Sequence, residues 1–383
     1  MHIDPFGVEI WMNAHENHCA YNLAETCVAS LTLDEMLQLT GRNGDALGEL
    51  LSRRMGYGAI EGSDRLRDAI AALYAGRTRD DVLVTHGTAG ANSLAWKALV
   101  GPGDRVVSLV PTYQQHVSIP ESLGAEVIRL PLRPEADWLP EPEALEAAIL
   151  PGTKVVALTN PNNPTGALID RAGLERIVAI ARAAGAWVLV DEVYRGTAQD
   201  DESLGPSIAD LYDKGIATSG MSKAFSLAGL RLGWIVAAHE LLEAVSRHRD
   251  YDTISVGLID DHLAAMALES SDRILARSRR ITRDNLALLD AWVTEEPGVC
   301  WVRPSAGTTA LLDYGLNIPS ETLCLDLLAE EGVLFTPGAA MGVEGTVRVG
   351  FGNDPDAMRA GLPRVSAFLR RKRGARKDVA SAG

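Results

Sequence analysis

Two spacings of apolar residues organise this chain. Short runs rich in valine, isoleucine and leucine, VLVTHG (82–87), DRVVSLV (104–110), KVVALTN (154–160), WVLVDE (187–192), IATSG (216–220) and LGWIVAA (232–238), read as buried strands. Between several of them the period lengthens to that of an amphipathic helix, as in LERIVAIARAAG (174–185). Strands that lack polar alternation and are separated by helices predict a mainly parallel sheet covered on both faces, an α/β fold. From about residue 270 the texture changes. SDRILARSRRITRDNLALLDAWVTEE (271–296) reads as one long helix, and a short α+β stretch follows, ending in TVRVGFGN (346–353) and a last helix. The expected division is a large domain over 40–265, a smaller α+β domain built from 1–39 and 266–372, and a disordered tail over 373–383.

Length and charge narrow the function. At 383 residues the chain is long enough to bury about 75% of its unfolded surface, so one large core with a smaller one beside it is expected. The 36 basic and 51 acidic residues leave a formal charge of −15, which argues against a nucleic-acid or anionic-membrane partner. The basic cluster RRKRGARK near the C-terminus reads as a solvated tail. No apolar run is long enough to span a bilayer, and MHIDPFGVEIW lacks both a basic and an apolar leader region, so a cytoplasmic protein is expected. Cys19, Cys27, Cys300 and Cys324 are widely spaced and read as reduced thiols. HENHC (15–19) gathers two histidines and a cysteine, but its spacing fits no zinc pattern and no metal is expected.

In an open sheet of this kind, ligands collect beyond the carboxyl ends of the strands. The unusual residues of this chain fall there. THGTAGA (85–91) follows VLV and opens a helical pattern, placing N–H groups at Gly87, Thr88 and Ala89 to hold a phosphate at a helix N-terminus. TNPNNPTG (159–166) is a rigid irregular turn that presents Asn163 as an amide donor. DEVY (191–194) sets Asp191 just past a buried strand, where a carboxylate is costly without a cationic partner. In SGMSKAFSLAGLRLGWIV (219–236), Lys223 holds the equivalent place on another strand, among small residues and eight positions ahead of Arg231. Singly, each has an ordinary reading: a solvated lysine, a helix-capping aspartate, a core tyrosine, a surface arginine.

Their order and spacing together resemble the class I/II aminotransferases, the fold type I pyridoxal-phosphate enzymes, from about residue 20 to residue 370. The resemblance implies a mainly parallel seven-stranded central sheet wrapped by helices, pyridoxal 5'-phosphate as cofactor, an amino acid and a 2-oxo acid as substrates, and a homodimer with shared sites. By it, Lys223 forms the Schiff base with the cofactor, Arg231 pairs with the cofactor phosphate, and Asp191 holds the pyridine nitrogen protonated. Asn163 and Tyr194 bond the ring hydroxyl. In PTYQQH (111–116), Tyr113 matches the aromatic that stacks on the ring and His116 the histidine that supports the aspartate. Tyr57 matches the tyrosine that crosses to the partner's phosphate, and Arg348 the arginine that grips the substrate α-carboxylate. The physical logic is consistent: desolvation and a neighbouring cation help the lysine lose its proton, and the freed amine is placed to move a proton at the substrate Cα.

Two departures stand out. Where the family often has Ser or Thr three residues before the lysine, this chain has Gly220, so backbone N–H groups, Ser219 or Ser222 must complete the phosphate cup. The substrate segment reads YNLAETCVASLT (21–32), in which Glu25 and Thr26 either line the pocket with Cys27 or begin a helix. THG, RHRDYDTIS and VRVGFGN also resemble the capreomycidine synthase branch, which implies an alternative: elimination and cyclisation on a cationic, arginine-like amino acid. Arginine oxidases of this fold resemble the chain less, because their expected histidine is Cys27 here. A DNA-binding regulator would need more than the roughly 35 residues ahead of the large domain. Where relatives that prefer dicarboxylic substrates bring an arginine, this chain offers Asp250, Tyr251 and Asp252; the aspartates either favour a cationic side chain or pair with Arg247 and Arg249.

Overall fold

The computed structural model describes residues 2–201 and 203–381, with side chains as far as residue 374. Its strands are β1 (Tyr21–Asn22), β2 (Val82–His86), β3 (Arg105–Val110), β4 (Glu126–Pro131), β5 (Thr153–Thr159), β6 (Trp187–Asp191), β7 (Gly215–Gly220), β8 (Leu232–Val236), β9 (Thr309–Asp313), β10 (Val333–Leu334), β11 (Thr336–Pro337) and β12 (Thr346–Gly350). Seven of them form the central sheet in the order β2-β8-β7-β6-β5-β3-β4. All its pairings are parallel except those of β8, which runs antiparallel to both β2 and β7. The expected α/β fold, with its mainly parallel seven-stranded sheet, is what the chain adopts. Six of these strands are the apolar runs read from the sequence. The seventh, β4, is an edge strand in which only Leu130 is buried, so its EVIRLP carries no strong apolar run.

The central strands are buried on both sides. Val156, Leu158, Val188 and Val190 face a core shared with Leu66, Ile70 and Leu174. Val155, Ala157 and Leu189 face the opposite core with Leu94, Trp96 and Ile235. A third core joins Trp11, Leu23 and Ala24 to Leu286, Leu289, Phe351 and Phe368. The helix Ser271–Glu295 links cores: Ile274 and Leu275 belong to the first, Leu286 and Leu289 to the third. Met36 and Leu37 also pack in the first core. β12 pairs with β11 and β9, and this small sheet carries Arg348 towards the carboxyl ends of the central strands.

The last helix, Pro355–Ser381, continues through most of the segment expected as a tail. Extending an existing helix through Ala, Arg and Lys is far easier than nucleating one. Residues 382–383 lie outside those described. The four cysteines are free, and His15 of the HENHC segment packs on Trp11 with ring centroids 4.3 Å apart. Among the described residues, no group of His, Cys, Asp or Glu is arranged to hold a metal, and no helix is long and apolar enough to cross a membrane.

Candidate active site

The phosphate end of the site is set by glycines. Gly87 takes a positive φ of 66° between β2 and the 13-residue helix Gly87–Leu99, turning the N–H groups of the first helical turn towards the sheet's carboxyl edge. The turn lies so close on β8 that a Cβ at Gly233 would overlap the Gly87 backbone. Arg231, itself left-handed at φ 47°, brings Nη2 to 3.0 Å from where a Cβ at Gly87 would be, while Nη1 donates to Ala228 O at 3.0 Å. A Cβ at Gly220 would stand 2.5 Å from Thr88 Oγ1 and 2.9 Å from Leu232 O. Thr88 Oγ1 is buried without a hydrogen-bond partner. The space where the family often carries a Ser or Thr side chain is therefore taken by the hydroxyl of Thr88.

Asp191 ends β6 and is 3% exposed. Asn92 Nδ2 donates to its Oδ2 at 2.9 Å and the Val193 N–H to its Oδ1 at 3.1 Å. Thr218 Oγ1 donates to Asn92 Oδ1 at 2.6 Å, which fixes the amide's orientation. Burial raises the Asp191 pKa to about 6 against these donors and the nearby Lys223 charge. His116 does not support the aspartate. It lies in the first turn of the helix Gln115–Ser122, its ring centroid 6.1 Å from that of Trp96, with both ring nitrogens buried and unpartnered. Burial pushes its pKa down to about 4. Asn92, the one amide in GTAGANSLAWKAL, makes the contact with Asp191 that was expected of His116.

Lys223, in the turn after β7, donates from Nζ to Thr26 Oγ1 at 2.7 Å and to Cys27 Sγ at 3.3 Å. The Glu25 carboxylate accepts the N–H groups of Thr26 and Cys27 at 2.7 Å each. Burial opposes its charge, but Lys223 and these amides outweigh burial and hold its pKa below the ordinary carboxylate value. Glu25 and Thr26 thus line the pocket and begin no helix. The Tyr194 hydroxyl is buried without a hydrogen-bond partner, and burial raises its pKa against the pull of Lys223 and Arg348. Arg348 is 3% exposed; Nη1 donates to Asn163 Oδ1 at 3.3 Å and Nη2 to Thr336 Oγ1 at 3.3 Å, while Nε has no partner. Tyr113 packs against Phe6 with centroids 4.9 Å apart and donates to Glu9 Oε1 at 3.0 Å.

Thr88, Ala89, Tyr113, Asn163, Asp191, Tyr194, Ser222, Lys223, Arg231 and Arg348 all line one cavity of about 710 Å³. Tyr57 does not: it is 82% exposed on the outer surface. Asp250 and Asp252 also lie outside the lining, and Asp252 faces Lys97 at 3.6 Å rather than Arg247 or Arg249. A phosphorylated pyridine fits the donor set. Helix N–H groups and an arginine sit at one end and a buried carboxylate lies deep in the cavity, with an unpartnered phenol and an amine nearby.

Comparisons with known proteins agree with this chemistry. The family model "Aminotransferase class I and II" matches residues 40–365. Capreomycidine synthase of Streptomyces vinaceus is 32% identical over 343 residues, covering 89% of this chain and 84% of that protein. A crystal structure of a PLP-dependent aminotransferase from Streptococcus suis superposes with a TM-score of 0.94 at 44% identity, over 97% of this chain and 99% of that one. The PLP-dependent cyclase OrfR superposes at 0.90 and 32% identity, over 97% of this chain and 98% of its own. The chain therefore belongs to the class I and II aminotransferases, as a transferase whose cofactor is pyridoxal phosphate.

Proposed function

We propose that this protein is an aminotransferase that carries its cofactor on Lys223 and moves an amino group between an amino acid and a 2-oxo acid. The observation that carries the reading is the convergence of the Lys223 amine, the buried Asp191 carboxylate, the unpartnered Tyr194 hydroxyl and the Arg348 guanidinium on one cavity. When bound, the cofactor supplies an electron sink that makes the substrate Cα–H acidic. Asp191, held by Asn92 and the Val193 N–H, is placed to keep a pyridine nitrogen protonated. Asn163 and Tyr194 are the partners for a ring hydroxyl, and Tyr113 covers the ring face. The N–H groups of Gly87, Thr88 and Ala89 hold the phosphate together with the Thr88 hydroxyl, Ser222 and Arg231. Arg348, steadied by Asn163 and Thr336, pins the α-carboxylate and so decides which Cα bond faces Lys223. Lys223 Nζ then takes the Cα proton.

The working unit in this reading is a homodimer. Leu51, Met55, Tyr57 and Tyr251 are 70% or more exposed, a surface suited to a second copy whose Tyr57 reaches the neighbouring phosphate.

A second reading, elimination or cyclisation on a cationic amino acid, is favoured by Glu9, Glu16 and Glu25 in the cavity wall and by the likeness to capreomycidine synthase. Incubating the holoenzyme with a panel of amino acids, while following the cofactor spectrum and identifying products, separates the two. Conversion of the cofactor to its amine form with one equivalent of oxo acid supports transamination. Unchanged cofactor with ammonia, water loss or a ring product supports the alternative.

A further inference from the structure

The segment facing Lys223 is tied down along its length. Asn22 Oδ1 accepts the N–H groups of Ala24 and Glu25 at 3.0 and 3.1 Å, and the Ala29 N–H donates to Gly352 O at 2.8 Å. Thr308 Oγ1 donates to Thr26 O at 2.6 Å. Beneath it a side chain is impossible: a Cβ at Gly350 would overlap the Glu25 carbonyl, and one at Gly352 would lie 2.9 Å from that of Cys27. This bracing delivers a hydroxyl and a thiol to the amine, at 2.7 and 3.3 Å.

We propose that Thr26 and Cys27 form a dock for the Lys223 amine in the cofactor-free enzyme, holding Nζ by two hydrogen bonds until the cofactor arrives. The inference rests on Lys223 being the cofactor lysine. An ammonium has three donors, and two of them find acceptors here. Acceptors that bond the charged form stabilise it. The other groups facing the amine are Glu25 from the same segment, Asp191 and Tyr194 from the end of β6, and Tyr113 from the turn after β3. Arg348 on β12 is the opposing cation, and it acts on Tyr194. Burial disfavours charge on Lys223, while its hydrogen bond to Cys27 and the Glu25 carboxylate favour it, and the balance holds its pKa above the ordinary lysine value. Burial pushes the Cys27 thiol up, against the pull of Lys223. Only the neutral amine bonds an aldehyde, so the dock slows cofactor loading. Thr26 and Cys27 are thus positioning residues for the lysine.

The test uses the full-length chain freed of cofactor and re-exposed to pyridoxal phosphate across a pH range, with loading followed by absorbance. Borohydride reduction and peptide mapping identify the loaded lysine. Thr26→Val and Cys27→Ala should each lower the midpoint of the loading-rate profile by about one pH unit, so that below the midpoint they load about tenfold faster than the parent. Thr26→Ser and Cys27→Ser, which keep an acceptor, should stay within about threefold of it. Thermal unfolding checks the fold of each variant, and the two positions report independently. Unmoved midpoints in Thr26→Val and Cys27→Ala overturn the dock, as do equal shifts in all four variants, which would mean altered packing. Reduction that maps the cofactor to another lysine refutes the role of Lys223 instead.

Discussion

The hydroxyl of Thr88 stands 2.5 Å from the point where a Cβ at position 220 would lie, so a side chain at one position excludes a side chain at the other. The two positions are 132 residues apart and meet only because β7 and β8 bring Gly220 under the first turn of the helix Gly87–Leu99. Thr88→Ala should raise the dissociation constant for pyridoxal phosphate about tenfold or more, the loss of one hydrogen bond to a charged group. Pyridoxal, which has no phosphate, should bind both forms equally, and equilibrium titration of the stripped enzyme with the two ligands measures this. Gly220→Ser forces a side chain into occupied space and should cost about 1 to 3 kcal/mol of stability in urea denaturation.

What was legible in the sequence was local. VLVTHG, WVLVDE and IATSG announce strands because buried parallel strands need continuous apolar runs, and the residues just beyond them fall at the ligand-binding edge. What was not legible depends on residues brought together from far apart. Nothing near His116 says that its ring packs on Trp96 while Asn92 reaches Asp191. Nothing around Cys27 shows that Gly350 and Gly352 press its segment onto Lys223. β4 leaves no apolar signature because an edge strand with one buried side chain needs none.

Replacing Lys223 with alanine should abolish turnover and the lysine-linked cofactor absorption. Borohydride treatment of the loaded variant followed by mass spectrometry should find no cofactor attached to any peptide; an adduct on a different lysine would remove the assignment.

Asp191 carries a pH signature. Burial raises its pKa to about 6 and that of Glu192 to about 7, above the ordinary carboxylate value near 4. Between those values these two carboxyls bind more protons in the folded chain than in the unfolded one, so their contribution to the stability of the cofactor-free protein falls as pH rises from about 4 to about 7, while that of His116, pushed down to about 4, rises over the same range. Asp191→Asn should flatten that fall by about 2 to 3 kcal/mol, read from urea denaturation at the two ends of the range. With cofactor present, the same variant should lose about a hundredfold or more in kcat, because an amide does not hold a pyridine proton. Near-parental turnover would mean that another group holds it.

Tyr57 is expected to act across the dimer. Tyr57→Phe removes only a hydroxyl from a side chain that is 82% exposed in one chain, so the stability of the fold should not change. Cofactor affinity should nevertheless drop about tenfold, while light scattering still reports a dimer. An active monomer under assay conditions would exclude a shared site.

Substrate charge is the final consequence. Glu9, Glu16 and Glu25 line the cavity, and two of them have structural work there: Glu9 holds the Tyr113 hydroxyl and Glu25 the amides of Thr26 and Cys27. Within one chain, Asp250 caps the helix His239–Arg249 and Asp252 faces Lys97, so these aspartates can meet a substrate only in a neighbouring subunit's site. Carboxylates around the distal end attract a guanidinium or ammonium and repel a second carboxylate. kcat/KM should therefore rank arginine and ornithine above methionine, and methionine above glutamate. Glu16→Gln tests the cavity wall, and Asp250→Asn and Asp252→Asn test the contribution across the dimer. Each should reduce the ratio of arginine to methionine by about three- to tenfold, with methionine itself little changed. If glutamate is the best donor, or if none of the three variants moves the ratio, these carboxylates do not read the substrate.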